Sequence, residues 1–194
     1  DGTLSQLGRV RDGQLLQAKG VHYTAGALLA DEAAGRRYDG GGFACIYLAP
    51  YNYHRIHMPL AGRLTATRYV PGQLYSVNAA TARAVPGLFA RNERVVCEFD
   101  TDLGPLAVVM VGALFVGSIE TVFAGEINPP GQRGGVVRSI DQGLGAAFAR
   151  GAELGRFNMG STVIVLLGNG ATRFAERLGP GSTLRLGQAL AVTA

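Results

Sequence analysis

The stretch LGPLAVVMVGALFVGSI, from Leu103 to Ile119, is the longest in the chain without a charged residue. A helix that crosses a bilayer takes about 20 mostly apolar residues. This run is shorter, and Gly104, Pro105, Gly112 and Gly117 interrupt it. Its valines favour the pleated geometry of a sheet over a helix. The segment Gly104 to Val122 therefore reads as two buried strands joined by a turn. That reading makes the fold a β fold, and it makes any membrane contact peripheral.

The same pattern repeats outward in both directions. Phe43 to Leu48 is a buried strand closed by Pro50, and Arg63 to Val77, Arg94 to Phe99, Phe157 to Leu167 and Thr183 to Val192 read as strands too. Gly2 to Gly20 alternates apolar and polar residues around Gly8 and Asp12-Gly13, which suggests two or three more. The 29 glycines mostly sit singly between short apolar runs, the mark of many tight turns. Helix is sparser. Thr24 to Arg37 predicts one helix with Thr24 as its N-cap. Ala79 to Ala90 reads as partly helical until Pro86-Gly87 breaks it, and Gln142 to Glu153 has room for one short turn. Pro129-Pro130-Gly131 with Gly134-Gly135 is a loop. The expected architecture is mainly β (α+β): an antiparallel sandwich or barrel-like single domain over 1–194, with one to three short helices.

Composition narrows the function classes. At 47% hydrophobic and 16% charged the chain is globular. The net charge of +4 is carried almost wholly by arginine, Lys19 being the one lysine. Such a balance favours anionic surfaces, but no basic run interleaved with aromatics points to nucleic acid, so none is expected as a partner. Cys45 and Cys97 lack metal or redox spacing and read as buried free thiols of a reducing compartment. The chain starts at Asp1 with no initiator Met, so upstream sequence is expected before it.

Three features bear on chemistry. His54 and His57 lie in Tyr53-His54-Arg55-Ile56-His57-Met58-Pro59, while His22 stands apart. In extended backbone two residues three apart face opposite ways; in a helical turn they share a face. The pair reads either as structural histidines or as half a zinc site that lacks a nearby third ligand. Second, Gly160-Ser161-Thr162 enters the Val/Ile strand from Val163. It is either a turn whose hydroxyls bond backbone or a serine nucleophile at a strand head, without the spacing of a hydrolase elbow. Third, a decarboxylase of amino acids needs an electron sink. With Lys19 alone to anchor an external cofactor, a ketone built into the protein is the alternative.

Taken together, these residues resemble the phosphatidylserine decarboxylase family over nearly the whole chain. The likeness rests on Ser5-Gln6-Leu7-Gly8, Leu16 to Gly20, Tyr53 to Pro59, Tyr69-Val70-Pro71-Gly72, Ser76-Val77-Asn78, Leu88 to Val96 with Asn92-Glu93-Arg94, Val111 to Thr121, and Gly155-Arg156-Phe157 leading to Gly160-Ser161-Thr162. The resemblance implies a proenzyme that cuts itself between Gly160 and Ser161, leaving a larger portion, 1–160, and a smaller one, 161–194. The Ser161 hydroxyl attacks the Gly160 carbonyl, and elimination from the resulting ester leaves a pyruvoyl group on residue 161 with loss of ammonia. It also implies an Asp1, His57 and Ser161 arrangement for the cut, with His57 as base and Asp1 orienting it. The pyruvoyl cofactor would then hold phosphatidylserine as a Schiff base during its conversion to phosphatidylethanolamine, with His54 assisting proton transfer. No metal is implied. A homodimer is, together with a peripheral seat on an anionic membrane surface, the cytoplasmic face of the bacterial inner membrane. Two other readings stand beside it, a non-catalytic phospholipid-binding β domain and a zinc peptidase using His54 and His57.

Overall fold

The computed structural model describes residues 1–114, 118–128, 135–158, 161–170 and 172–193. Strands dominate, and every pairing between them is antiparallel. In chain order they are β1 (Gly2–Arg9), β2 (Gln14–Ala18), β3 (Val21–Thr24), β4 (Gly42–Leu48), β5 (Arg55–His57), β6 (Gly62–Val70), β7 (Arg94–Thr101), β8 (Gly104–Val111) and β9 (Ile119–Thr121). There follow β10 (Gly125–Glu126), β11 (Arg138–Ser139), β12 (Ala147–Phe148), β13 (Glu153–Phe157), β14 (Ser161–Leu167), β15 (Thr172–Phe174), β16 (Thr183–Leu184) and β17 (Ala191–Thr193). The main sheet runs β11-β6-β7-β8-β14-β4-β1-β16, with β12 also paired to β6. A smaller sheet runs β10-β9-β13-β5.

The strands richest in Val, Ile and Leu take the middle of the main sheet. All of β14 is buried, as is β8 from Leu106 to Val111. Only a strand covered on both faces can carry apolar residues at successive positions. Burying each such side chain stabilises the fold by about 1.5–3 kcal/mol. Register then sorts the two faces. Arg94 pairs with Val111, which pairs with Thr162. Arg94 points toward the helices, so Thr162, Ile164 and Leu166 share that face, and Ser161, Val163 and Val165 take the opposite one.

The helices differ from expectation in number and continuity. Four short ones form among the described residues: α1 (Ala25–Leu29), α2 (Glu32–Arg36), α3 (Ala79–Ala84) and α4 (Leu88–Arg91). Thr24 caps α1, its Oγ1 accepting the Ala27 N–H. The single helix expected from Thr24 to Arg37 is cut in two because Ala30 turns left-handed (φ 54°) and Asp31 begins a second N-cap, accepting the Ala34 N–H. Gly35 lets the two helices touch, since a Cβ there would lie 2.4 Å from the Gly26 nitrogen. Arg94 is buried and donates to the Ala27 and Leu28 carbonyls at the end of α1 and to Asn92 O. Burial lowers its pKa to about 10.

Three further expectations are corrected. No helix forms in Gln142 to Glu153, where turns lead into β12. Glycines at 143, 145 and 151 with positive φ break any helical run there. Phe157 to Leu167 is not one strand: β13 ends at Phe157 and β14 starts at Ser161, in different sheets. Thr183 to Val192 holds two short strands, β16 and part of β17, rather than one. The strand expected beyond Val111 is seen only as β9; Phe115, Val116 and Gly117 lie outside the described residues, as do Pro129, Pro130, Gly131 and Gly134. Cys45 and Cys97 are buried and free. Among the described residues no helix is long and apolar enough to cross a membrane.

Asp31 gives a test of how the helical corner is held. Its carboxylate pKa is lowered, chiefly by the Ala34 N–H and also by Arg68. A depressed folded-state pKa gives stability that is present above the ordinary carboxylate range and lost as pH falls through the folded value. Asp31→Ala should cost about 1 kcal/mol at pH 7. In urea unfolding curves the gap from wild type should shrink as the pH is taken below that range.

Candidate active site

The chain changes sheets where β13 gives way to β14. Upstream, β13 lies between β5 and β9. Phe157 N–H donates to His54 O, and Asn158 N–H to Ser118 O. Ion pairs brace this small sheet: Arg55 with Glu153 at 2.8 Å, and Arg156 with both oxygens of Glu120. These pairs are partly or fully open to solvent, so screening leaves each a small contribution to stability. Gly155 is needed at the centre, because a Cβ there would sit 2.3 Å from Glu120 O. Downstream, β14 runs between β4 and β8, with Ser161 opposite Leu48 and Thr162 opposite Val111. Gly160 and Met159, between the two sheets, lie outside the described residues.

Ser161 is wholly buried, and among the described residues its Oγ has no hydrogen-bond partner. An unpaired hydroxyl in a dry interior costs free energy, on the order of 1–3 kcal/mol, and calls for an explanation. Its side chain shares a face with Val163 and Val165, which floor an apolar cavity of about 780 Å³ together with Ile46, Leu48 and Val108.

His57 and Asp1 line that same cavity. The His57 Nδ1 lies 2.8 Å from Gly151 O, and a carbonyl can only accept, so the proton sits on Nδ1. Nε2 is then the basic nitrogen, and it accepts from the Tyr53 hydroxyl at 2.9 Å, the two rings being stacked. Asp1 does not touch this imidazole: its Oδ1 accepts the Leu186 N–H at 2.8 Å. The cavity thus gathers Asp1, His57 and the face of β14 that bears Ser161, but the carboxylate–imidazole bond of a triad is not formed. Gly151 O occupies the orienting position.

His54 stands elsewhere. The extended backbone turns it away from His57, and it is not part of the cavity wall. Its Nε2 lies 3.2 Å from Pro50 O and so carries the proton, leaving a buried Nδ1 lone pair with no partner among the described residues. Among the described residues no three His, Cys, Asp or Glu side chains cluster to hold a metal. His22 lies exposed on β3.

Sequence reasoning missed several members. Tyr53 was visible beside His54, yet nothing in its spacing shows that it stacks on His57. Gly151 acts through its backbone, which leaves no trace in residue type. Arg55, Arg150 and Arg185 also line the cavity, making its wall cationic; they are far apart in sequence, and only the fold collects them.

Comparison with known proteins fits this geometry. The phosphatidylserine decarboxylase family profile matches residues 1–192. Proteins named phosphatidylserine decarboxylase proenzyme align along the chain. One from Shewanella sp. (strain ANA-3) is 54% identical over 98% of this chain and 67% of its own length. One from Pseudomonas entomophila (strain L48) is 54% identical over 100% and 68%. One from Methylococcus capsulatus is 51% identical over 98% and 66%. The chain belongs to the phosphatidylserine decarboxylase family and is an enzyme of that type. It spans about two thirds of the length of these relatives.

The close approach at Gly155 yields a direct expectation. Gly155→Ala should push β13 off β9 and destabilise the protein by about 1–3 kcal/mol, read as a lower denaturant midpoint. An unchanged midpoint would mean that the two strands are not packed this tightly.

Proposed function

We propose that this chain cuts itself between Gly160 and Ser161 and then decarboxylates phosphatidylserine to phosphatidylethanolamine through a pyruvoyl group made from Ser161. The observation that carries the proposal is the buried Ser161 hydroxyl at the head of the central strand, without a hydrogen-bond partner among the described residues. A hydroxyl kept free of competing bonds, with water excluded, is poised to act as nucleophile.

In the cut, Ser161 Oγ attacks the Gly160 carbonyl carbon and the Gly160–Ser161 amide bond gives way to an ester. Loss of the Cα proton then breaks the Cβ–Oγ bond, leaving a carboxylate on Gly160 and dehydroalanine at 161. Hydrolysis converts the latter to pyruvoyl and ammonia. His57 is in the tautomer that a base requires, with Nε2 free of a proton. Nε2 reaches Ser161 only by giving up the Tyr53 hydroxyl. Asp1 keeps a second carboxylate oxygen beside the one that accepts the Leu186 N–H, and that oxygen is the group proposed to take the Nδ1 proton of His57 in place of Gly151 O.

The pyruvoyl ketone supplies the capture of the substrate amine and the sink for the electrons left by carbon dioxide. The chain's own residues supply the rest. His54 Nδ1, buried with a vacant lone pair, can accept a proton and return it to the product. The apolar cavity floor suits acyl chains, and Arg55, Arg150 and Arg185 suit the phosphate and an anionic leaflet. Leu186 and Val192, both exposed, line the same cavity and suit contact with lipid. This supports peripheral binding at the cytoplasmic face of the inner membrane. We further propose a single catalytic domain in which 1–160 and 161–194 stay associated after cutting, and, from the family likeness, a homodimer.

The denatured mass of the purified protein tests the cut. Two pieces divided after Gly160, with the smaller lighter by one ammonia than a serine-ended peptide, are expected. Ser161→Ala and His57→Ala should each give one uncut, inactive chain; activity in Ser161→Ala would sink the mechanism. His54→Ala should still be cut while turnover falls by about 10²–10⁴. Normal turnover in that variant would leave His54 with a structural role only.

A further inference from the structure

Asn92 and Glu93 are buried side by side, and neither is claimed by the chemistry above. Glu93, only 2% exposed, accepts from the Tyr69 hydroxyl at 2.6 Å on one oxygen and from Asn128 Nδ2 at 2.8 Å on the other. Asn128 Oδ1 in turn accepts the Ile119 N–H at 2.6 Å. The neighbour of Ile119, Ser118, holds Asn158 twice: Ser118 O accepts the Asn158 N–H, and Ser118 Oγ accepts from Asn158 Nδ2. This chain of bonds ends three residues before Ser161.

A second arm ends on the other side of the junction. The last register pair of β14 with β8 is Thr162 with Val111, and Gly112 is the residue that follows β8 there. Gly112 N–H donates to Glu93 O at 2.8 Å, and Gly112 O accepts from Asn92 Nδ2 at 2.9 Å. Asn92 Nδ2 also holds Tyr75 O. The Asn92–Glu93 pair thus ties Asn158, three residues upstream of Ser161, and Gly112, next to the strand partner of Thr162, into one network.

Stability alone does not call for a carboxylate here, because a buried polar network is commonly no more stabilising than well-packed apolar residues of like volume. Such a network does confer a single geometry, as every donor must meet its acceptor. Attack of a hydroxyl on a neighbouring carbonyl is sensitive to placement on the ångström scale. We infer that Glu93, through Asn128 and Ser118 on one side and with Asn92 through Gly112 on the other, is a positioning residue for self-cleavage. This inference rests on the self-cleavage reading.

The network's polarity supplies the test. A glutamine at 93 either loses the bond from Asn128 or reverses the bond with Tyr69, whichever way its amide turns. Adding Asn128→Asp restores an acceptor opposite the new amide and still accepts the Ile119 N–H. Glu93→Gln should slow appearance of the cut pieces, followed by denatured mass after synthesis, by about 10- to 100-fold. Glu93→Gln with Asn128→Asp should recover most of the rate. Cutting of Glu93→Gln at the wild-type rate overturns the inference, as does a folded double variant as slow as the single. Should Glu93→Gln fail to fold, Ser118→Ala decides: slow cutting supports the positioning role, and the wild-type rate overturns it. Wild type measured alongside separates the two readings, because an uncut wild type refutes self-cleavage itself and the inference with it.

Discussion

The structure depends on a strand that begins, without any lead-in from its own sheet, in the middle of the protein. β14 is hydrogen-bonded to β4 along its whole length and to β8 from Thr162 onward. The chain reaches it from β13, a strand of the smaller sheet, and Ser161 is its first residue, wholly buried. Its hydroxyl is shut off from water by the same packing that stabilises the sheet. The cavity lies on the face of β14 that bears Val163 and Val165, with His57 in its wall, and the polar network reaches Asn158 on the upstream side.

Much of this was legible in the sequence, and the boundary of legibility is physical. Short Val/Ile/Leu runs such as Val163 to Leu167 identify buried strands because they are rich in β-branched residues and too short for a typical helix of about 10–12 residues. The Thr24 cap and the break at Pro86-Gly87 were readable for the same local reasons. The division of 24–37 into two helices was not, since it turns on Ala30 adopting a left-handed conformation that alanine seldom takes. The split of 157–167 between two sheets was hidden too, because apolar patterning records burial and not which neighbour provides it.

The site shows a similar division. Asp1, His57 and Ser161 could be singled out by residue type and likeness, and the fold brings the first two to a cavity floored by the strand of the third. The partners that currently hold His57 could not be singled out. One is a backbone carbonyl and the other a tyrosine four residues upstream, which side-chain spacing does not distinguish from a surface aromatic. Asn92 and Glu93 carry part of the family likeness, but residue type does not join them to Asn128. Only burial and the direction of each hydrogen bond reveal that they form a continuous framework.

The place of β14 has a consequence for how the polypeptide holds together once divided. The portion from Ser161 onward supplies a central strand and, through β16, the neighbour of β1 at the edge of the main sheet. A severed chain would accordingly resemble a pair of complementing fragments. Without its partner, the upstream fragment has β4 and β8 flanking an empty slot with their backbone groups unsatisfied; the downstream fragment has an apolar ribbon with no sheet to enter. Each portion completes the sheet of the other, which constrains the order of events. Folding as one continuous chain makes the assembly intramolecular, and a break made afterwards creates a new chain end deep inside an interface that already exists.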